Sequence, residues 1–436
     1  MASRPETAPP GVRADAWLTA AEATARLGVK RETLYAYVSR GLVRSERVPG
    51  SRTSRFLRSD VERLAGREHA RRGGARLDVV IDSALTLLDP AGRLYYRGRD
   101  VAWFADRASY EQTADWLWRG ELPEPSTWSA PAAAVRVAED AQQALPPGAG
   151  VTDRLHVIAA VARTLDPLRD DRSAPVVVEH TRGLVATLVD ALPARQDRPP
   201  LDSSIAARLW VRLSPLAPTR ARVQALDDAL VLLADHELAA STLAARVAAS
   251  TWADPYLVVL AGMAACGGPL HGGASAEVRA LIHEVRGGAP TVAAVAERLR
   301  QTNRVPGFGH SVYEGGDPRC PLLLDAVERL GPPKDLSATA AATLEVMQRR
   351  GGPAPNIDFA LGVFTEAAAM APDAGEAIFL VARSAGWVAH ALEEYEHRLR
   401  YRPRAVYTGP PPDAGAFAAT ASPVRSLAGA LRASGR

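Results

Sequence analysis

A chain of 436 residues exceeds what one compact core ordinarily fills, so two or three domains are expected. Apolar residues at 47% and charged residues at 23% describe an ordinary globular protein, and the presence of only two cysteines, Cys266 and Cys320, argues against a disulfide framework and a cysteine-built zinc site. The net charge of +3 conceals an asymmetry: residues 1–76 hold 16 Lys/Arg against 8 Asp/Glu, which leaves about −5 for residues 77–436 and points to a nucleic-acid-facing module joined to an acidic body.

Residues 1–15 read as a disordered lead. The opening, MASRPETAPPGVRADAW, has no apolar core of a signal peptide, and the longest apolar run, near Tyr256 to Cys266, is too short to cross a bilayer. A soluble, cytoplasmic protein without membrane attachment is expected. Thr19 then reads as an N-cap with Glu22 three residues on, a capping box, and Gly28 as the stop of that helix. A second helix is expected from near Lys30, with Leu34 and Val38 on one face and Gly41 ending it. VRSERV and SRFL flank the turn-rich PGSRT, which predicts a small hairpin. Residues 16–66 therefore predict a winged helix-turn-helix domain.

This stretch resembles the DNA-binding domains of the MerR and excisionase type. Lys30, Arg31, Thr33, Tyr35 and Arg40 lie on or beside the recognition helix so implied, and Arg52 and Arg55 lie in its wing. These are the candidate DNA contacts, because phosphates need cations and base reading needs a few of them at a groove edge. The plain alternative is a helical docking module with a solvated basic face. A single copy of such a module binds weakly, so specific binding implies a dimer. Residues 67–76 read as a basic linker.

From residue 77, LDVVIDSALTLLDPAGRLYYRG reads as strand, with Asp89 to Gly92 as its turn. Alanine- and leucine-rich amphipathic segments follow, at 100–119, 150–166, 175–191, 203–213, 222–248, 254–266, 275–286, 291–301, 320–330, 337–350, 357–371 and 374–400. The chain is predicted to be mainly α. Three irregular stretches interrupt the helices: GGPLHGGASAEV with His271, VPGFGHSVYEGGDPRC with His310, and APNIDFALGVF with Asp358. Glycine and proline there let backbone approach a ligand, helix starts offer free N–H groups to anions, and two histidines with a carboxylate can act as paired acid and base.

The body, about residues 77–410, resembles the citrate synthase family in its bacterial type. LYYRGRDVAWFADRASYEQTADWLWRGELP, DHELAASTLAARVAASTWADPYLVVLAGMAACGGPLHGGA, VPGFGH…DPR, PNIDFALGVF, ARSAGWVAHALEE and YRPRAVYTG follow in the family's order. The resemblance implies a large helical domain with a small helical domain at roughly 272–375, and a C-terminal tail at 411–436. It implies that acetyl-CoA condenses with oxaloacetate, and that citryl-CoA is hydrolysed to citrate and CoA. Asp358 would take a proton from the acetyl methyl group, His271 would hydrogen-bond the thioester oxygen, and His310 would donate to the oxaloacetate carbonyl. His236, Arg319, Arg383 and Arg402 would hold oxaloacetate. The backbone of Val305, Pro306, Gly307, Phe308 and Gly309 would hold the adenine end of coenzyme A. The residue matching Arg402 reaches into a partner's site, which implies a homodimer with shared active sites and closure of the small domain.

No metal and no permanently bound cofactor are expected. His390 and His397, seven apart with Glu393 and Glu394 between, read as a solvated helix face rather than a metal site. Ser311 and Glu314 stand where bacterial relatives commonly carry cations for the CoA phosphates, and Arg304 precedes the loop. Ala239 and Ser275 stand where asparagine is common. Two other activities compete: 2-methylcitrate synthesis from propionyl-CoA, and a DNA-binding regulator that keeps this fold as a metabolite sensor.

Overall fold

The computed structural model describes residues 17–39, 42–48, 53–61, 80–89, 91–268, 272–313 and 315–402. His271, Arg40, Gly41, Arg52 and Glu314 lie outside the described residues, as do the lead, the linker and the tail. The chain divides into two units after Ala84.

In the first unit Thr19 and Glu22 form the capping box of helix Ala20–Leu27, and Gly28 closes it at φ 63°, where a side chain would be strained. Helix Arg31–Ser39 follows, then strands Ser45–Arg47 and Ser54–Leu57, and residues 58–61 begin a further helix. The hairpin has a third strand that the sequence reading did not contain: Trp17–Thr19 pairs antiparallel with Ser54–Leu57, so that the latter is central. Leu18, Ala23, Leu27, Leu34, Val43, Phe56 and Val61 make one small core. Buried Asp60 clasps the hairpin through the Arg44 N–H (3.0 Å) and guanidinium (2.8 and 3.1 Å). Leu34 is fully buried, and Leu34→Ala is expected to destabilise this unit by about 2–4 kcal/mol, read as a lowered midpoint in denaturant.

The second unit opens with strands Thr86–Asp89 and Arg93–Tyr96, joined through the Asp89–Gly92 turn, and the short Arg99–Asp100. Residues 80–85 are not strand, so the extended segment is shorter than expected. Segment 100–119 is two helices, Val101–Arg107 and Tyr110–Arg119, because Ser109 and Gln112 form a second capping box between them. Helix Ala132–Gln142 was not anticipated. Segment 222–248 is also two helices, Arg220–Leu233 and Ala240–Ser250, separated by the turn that carries His236. The remaining helices fall near their expected places: Val151–Thr164, Ala174–Asp190, Ile205–Leu213, Pro255–Cys266, Ala274–Arg286, Thr291–Thr302, Arg319–Arg329, Lys334–Arg349, Ile357–Ala367 and Ala374–His397.

Helix Ala374–His397 is buried on nearly every face and packs against Arg220–Leu233, Ala240–Ser250, Pro255–Cys266, Tyr110–Arg119 and Ala174–Asp190. Its Trp387 lies so close to Gly262 that a Cβ there would sit 2.4 Å from the indole. Helix Ile357–Ala367 packs between Ala274–Arg286 and Arg319–Arg329. His390 is wholly buried, which corrects the expectation of a solvated face: it bonds Arg246 and faces Asp235, an internal ion network that its exposed-looking glutamate neighbours concealed. Among the described residues no helix is long and apolar enough to cross a membrane, and no cluster of three or more metal-ligating side chains occurs.

Candidate active site

The loop Val305–Gly309 is irregular because it is zipped onto the segment just ahead of Asp358. Phe308 and Pro355 form a lone antiparallel bridge, Asn356 N–H donates to Gly307 O (2.9 Å), and Gly309 N–H donates to Ala354 O (2.8 Å). The Asn356 amide donates to Gly309 O at 2.8 Å, while its oxygen accepts from Asp358 N–H at 3.0 Å. Gly307 and Gly309 sit at φ 80° and 88°. A Cβ on Gly307 would also lie 2.6 Å from Val278 and 2.9 Å from the Phe359 Cα, so glycine is required for both conformation and space. The arrangement delivers His310 and Asp358, 48 positions apart in the chain, to one place. Asn356 is the N-cap, so Asp358 is the second helical residue and its carboxylate is free of capping.

His310 accepts at Nδ1 from the N–H groups of Val312 (3.0 Å) and Tyr313 (3.4 Å). The ring proton therefore sits on Nε2, and burial together with the Arg319 charge holds the pKa below the usual value. Its ring packs against His236 (centroids 5.1 Å) and Tyr313 (4.6 Å), and His236 Nε2 meets the Tyr313 hydroxyl at 3.1 Å. His236 is buried, and desolvation with the charges of Arg319, Arg383 and His310 pushes its pKa well down. Both shifts favour the neutral imidazole over the cation.

Arg319 is buried and held by Asp317, which accepts from Nε at 2.9 Å and from a terminal nitrogen at 2.7 Å. The same carboxylate accepts from Ile357 N–H at 3.0 Å, so it ties the arginine to the start of the Asp358 helix. That helix start is consequently satisfied by protein groups and is not the open anion site expected from the sequence. Arg383 is also buried, anchored through Nε on Leu233 O at 2.7 Å and over the Phe379 ring. Burial moves its pKa down while Asp235 opposes the shift. Asp358 is partly buried, and desolvation, with the nearby Asp317 charge, lifts its pKa to about 6 against the pull of Arg319 and Arg383. A carboxylate so tuned is a competent base near neutral pH.

His236, His310, Asp358, Arg319 and Arg383 are therefore brought together. Val305 is buried and Phe308 packs on Phe359 at 5.2 Å, so this part of the loop is anchored from below. Arg402 is exposed and forms no bond with the described residues. Ala239 is the N-cap of helix Ala240–Ser250 without a side-chain bond, and Ser275 is buried against Gly375. In the first unit Lys30, Arg31 and Tyr35 are exposed and Thr33 is half-buried. Arg55 is paired with Glu46 and lies over Trp17, so it is a less available cation than its sequence suggested. Sequence reasoning missed Tyr313, Asp317 and Asn356. Only the last carried a signal, an asparagine just before an apolar helical run.

A helical body that gathers two neutral imidazoles, two buried arginines and one raised carboxylate is that of an acid–base enzyme for anionic substrates. Residues 74–404 match the family model of the citrate synthase C-terminal domain, and residues 17–69 match that of a helix-turn-helix domain. Citrate synthase of Haloferax volcanii is 34% identical over 76% of this chain and 94% of its own length. 2-Methylcitrate synthase of Mycobacterium tuberculosis is 31% identical over 76% and 89%. The ternary complex of citrate synthase from Thermoplasma acidophilum with carboxymethyl coenzyme A and oxaloacetate superposes with a TM-score of 0.63 at 25% identity, covering 77% of this chain and 95% of that one. The chain belongs to the citrate synthase family.

Proposed function

We infer that this protein condenses an acyl-CoA, foremost acetyl-CoA, with oxaloacetate and hydrolyses the resulting thioester. The observation that carries the reading is the Asn356 bridge that sets the raised carboxylate of Asp358 beside the loop of His310 and over the Asp317–Arg319 pair. Asp358 removes a proton from the acyl α-carbon, and the C–H electron pair forms the enolate, whose oxygen is stabilised by a hydrogen bond from His271. The enolate carbon attacks the ketone carbon of oxaloacetate, and the ketone oxygen takes a proton from His310 Nε2. Water then adds to the thioester carbonyl, one of its protons returning to His310, and the CoA thiolate leaves with the proton held by Asp358. Arg319 and Arg383 bind the oxaloacetate carboxylates beside His236, and Arg402, exposed and without a bond among the described residues, supports a homodimer in which it completes a second subunit's site. Val305 to Gly309 cradle coenzyme A, with the small domain at roughly 272–375 closing over it. The location is cytoplasmic and the pathway the tricarboxylic acid cycle.

The test is release of free thiol from acetyl-CoA and, in parallel, propionyl-CoA, each with oxaloacetate. Faster release from acetyl-CoA is expected; preference for propionyl-CoA would instead assign 2-methylcitrate synthesis, the activity for which one Mycobacterium tuberculosis relative is named. No thiol from either overturns the reading. The basic first unit supports DNA binding through Lys30, Arg31, Thr33, Tyr35 and Arg55, with Arg40 and Arg52 outside the described residues. A salt-sensitive gel shift on DNA upstream of its own reading frame is expected, and binding indifferent to salt would count against it.

A further inference from the structure

Resting on that reading, we propose that a buried polar chain, Tyr401–Glu394–Arg246–His390–Asp235, positions the turn that carries His236, so that seating residue 401 sets oxaloacetate affinity. The turn at 234–239 has no glycine or proline, yet Glu237 takes φ 54°, a conformation that needs outside support. Asp235 supplies it from a fully buried position. Its carboxylate accepts from the Thr86 hydroxyl and from Glu237 N–H at 3.2 Å, and its other oxygen lies against Gly386, where a Cβ would meet it at 2.3 Å. The Tyr96 hydroxyl and Gly386 N–H fasten the backbone on either side, at 3.1 Å to Asp235 O and 3.0 Å to Ala234 O.

The chain behind Asp235 has one direction of donation. Arg246 is wholly buried and can only donate, so His390 Nδ1 accepts from it at 2.6 Å and the ring proton sits on Nε2, 3.4 Å from Asp235 Oδ2. Burial opposes ionisation of Asp235, yet His390, Arg383 and Thr86 hold its carboxyl below the usual range. Arg246 also binds Glu394 (2.6 Å) and Glu393 (2.8 Å), and Glu394 accepts from the Tyr401 hydroxyl. Tyr401 precedes Arg402, whose exposed guanidinium is assigned above to a second subunit's substrate. One continuous network therefore joins the segment that serves one site to the turn that builds the other. Arg246 and His390 are positioning residues: neither meets the pocket groups His310 or Asp358.

The test uses the full chain and the variants His390→Phe, His390→Gln and Tyr401→Phe. Glutamine presents an acceptor and a donor spaced like the two ring nitrogens. His390→Phe is expected to raise the KM for oxaloacetate about tenfold, with kcat and the thioester KM within about threefold of the parent. Tyr401→Phe shifts it the same way by about threefold, and His390→Gln restores it. Amide hydrogen exchange at residues 234–239 is expected to speed up in His390→Phe and not in His390→Gln, with helix Ala132–Gln142 unchanged. Unchanged oxaloacetate KM and unchanged exchange in His390→Phe overturn the proposal, as does a glutamine variant as impaired as the phenylalanine one. If the parent releases no thiol, the reaction assigned above fails on its own, and the exchange measurement still decides the positioning role.

Discussion

Asp358→Asn is expected to lower thiol release about 1000-fold while leaving oxaloacetate binding near the parent value, since the amide cannot take the α-proton. With Asp358 present, the rate should fall as pH drops through about 6, where desolvation has placed its carboxyl. The asparagine variant should lose that limb. The same shift makes a stability prediction of opposite sign. An acid whose folded pKa of about 6 lies above its unfolded value of ~3.9 binds its proton more tightly when folded, so stability is highest below the unfolded value and falls as pH rises through 6. At pH 7.5 the ionised group costs at most about 3 kcal/mol. Asp358→Asn should therefore raise Tm at pH 7.5 and change it little at pH 4. A variant that is inactive but no more stable would remove burial as the source of the raised pKa.

Gly307→Ala should be nearly as damaging by a purely steric route. The new methyl meets Val278 and the Phe359 backbone at distances no packed atom tolerates, on a backbone at φ 80°. Loop and helix must separate, and the register between His310 and Asp358 goes with them. A loss of about 100-fold in thiol release is expected, with about 2–4 kcal/mol of stability. Gly309→Ala is the internal comparison: it is strained at φ 88° but its Cβ would lie 3.5 Å from Pro353, ordinary contact, so it should lose far less. Equal losses in the two variants would show that backbone strain, not the close approach to Phe359, governs the loop.

Thr19, Glu22 and Gly28 bounded the first helix correctly because capping is local chemistry, written in neighbouring residues. The same holds for most helices of the body, whose apolar spacing was legible. The third strand of the first unit was not, because Trp17–Thr19 acquires its partner from 36 or more residues away. His236 is the sharper case. Its turn lacks any glycine or proline, so residues 222–248 read as one helix, and the break exists only because Tyr96, Thr86, His390 and Gly386 hold the backbone from three other elements. Asp317 was passed over beside Arg319 because its second task, accepting from Ile357, spans 40 residues.

The amino-acid order alone determined the helical class, the basic first unit and the residue types at the candidate site, because periodicity, net charge and capping depend on neighbours along the chain. Tertiary structure decided that the Asp358 carboxyl is raised by burial and is not the helix cap, that the His236 segment is a turn, and that His390 is buried. Each of those depends on desolvation and on hydrogen bonds between residues tens to hundreds of positions apart, which no local pattern records.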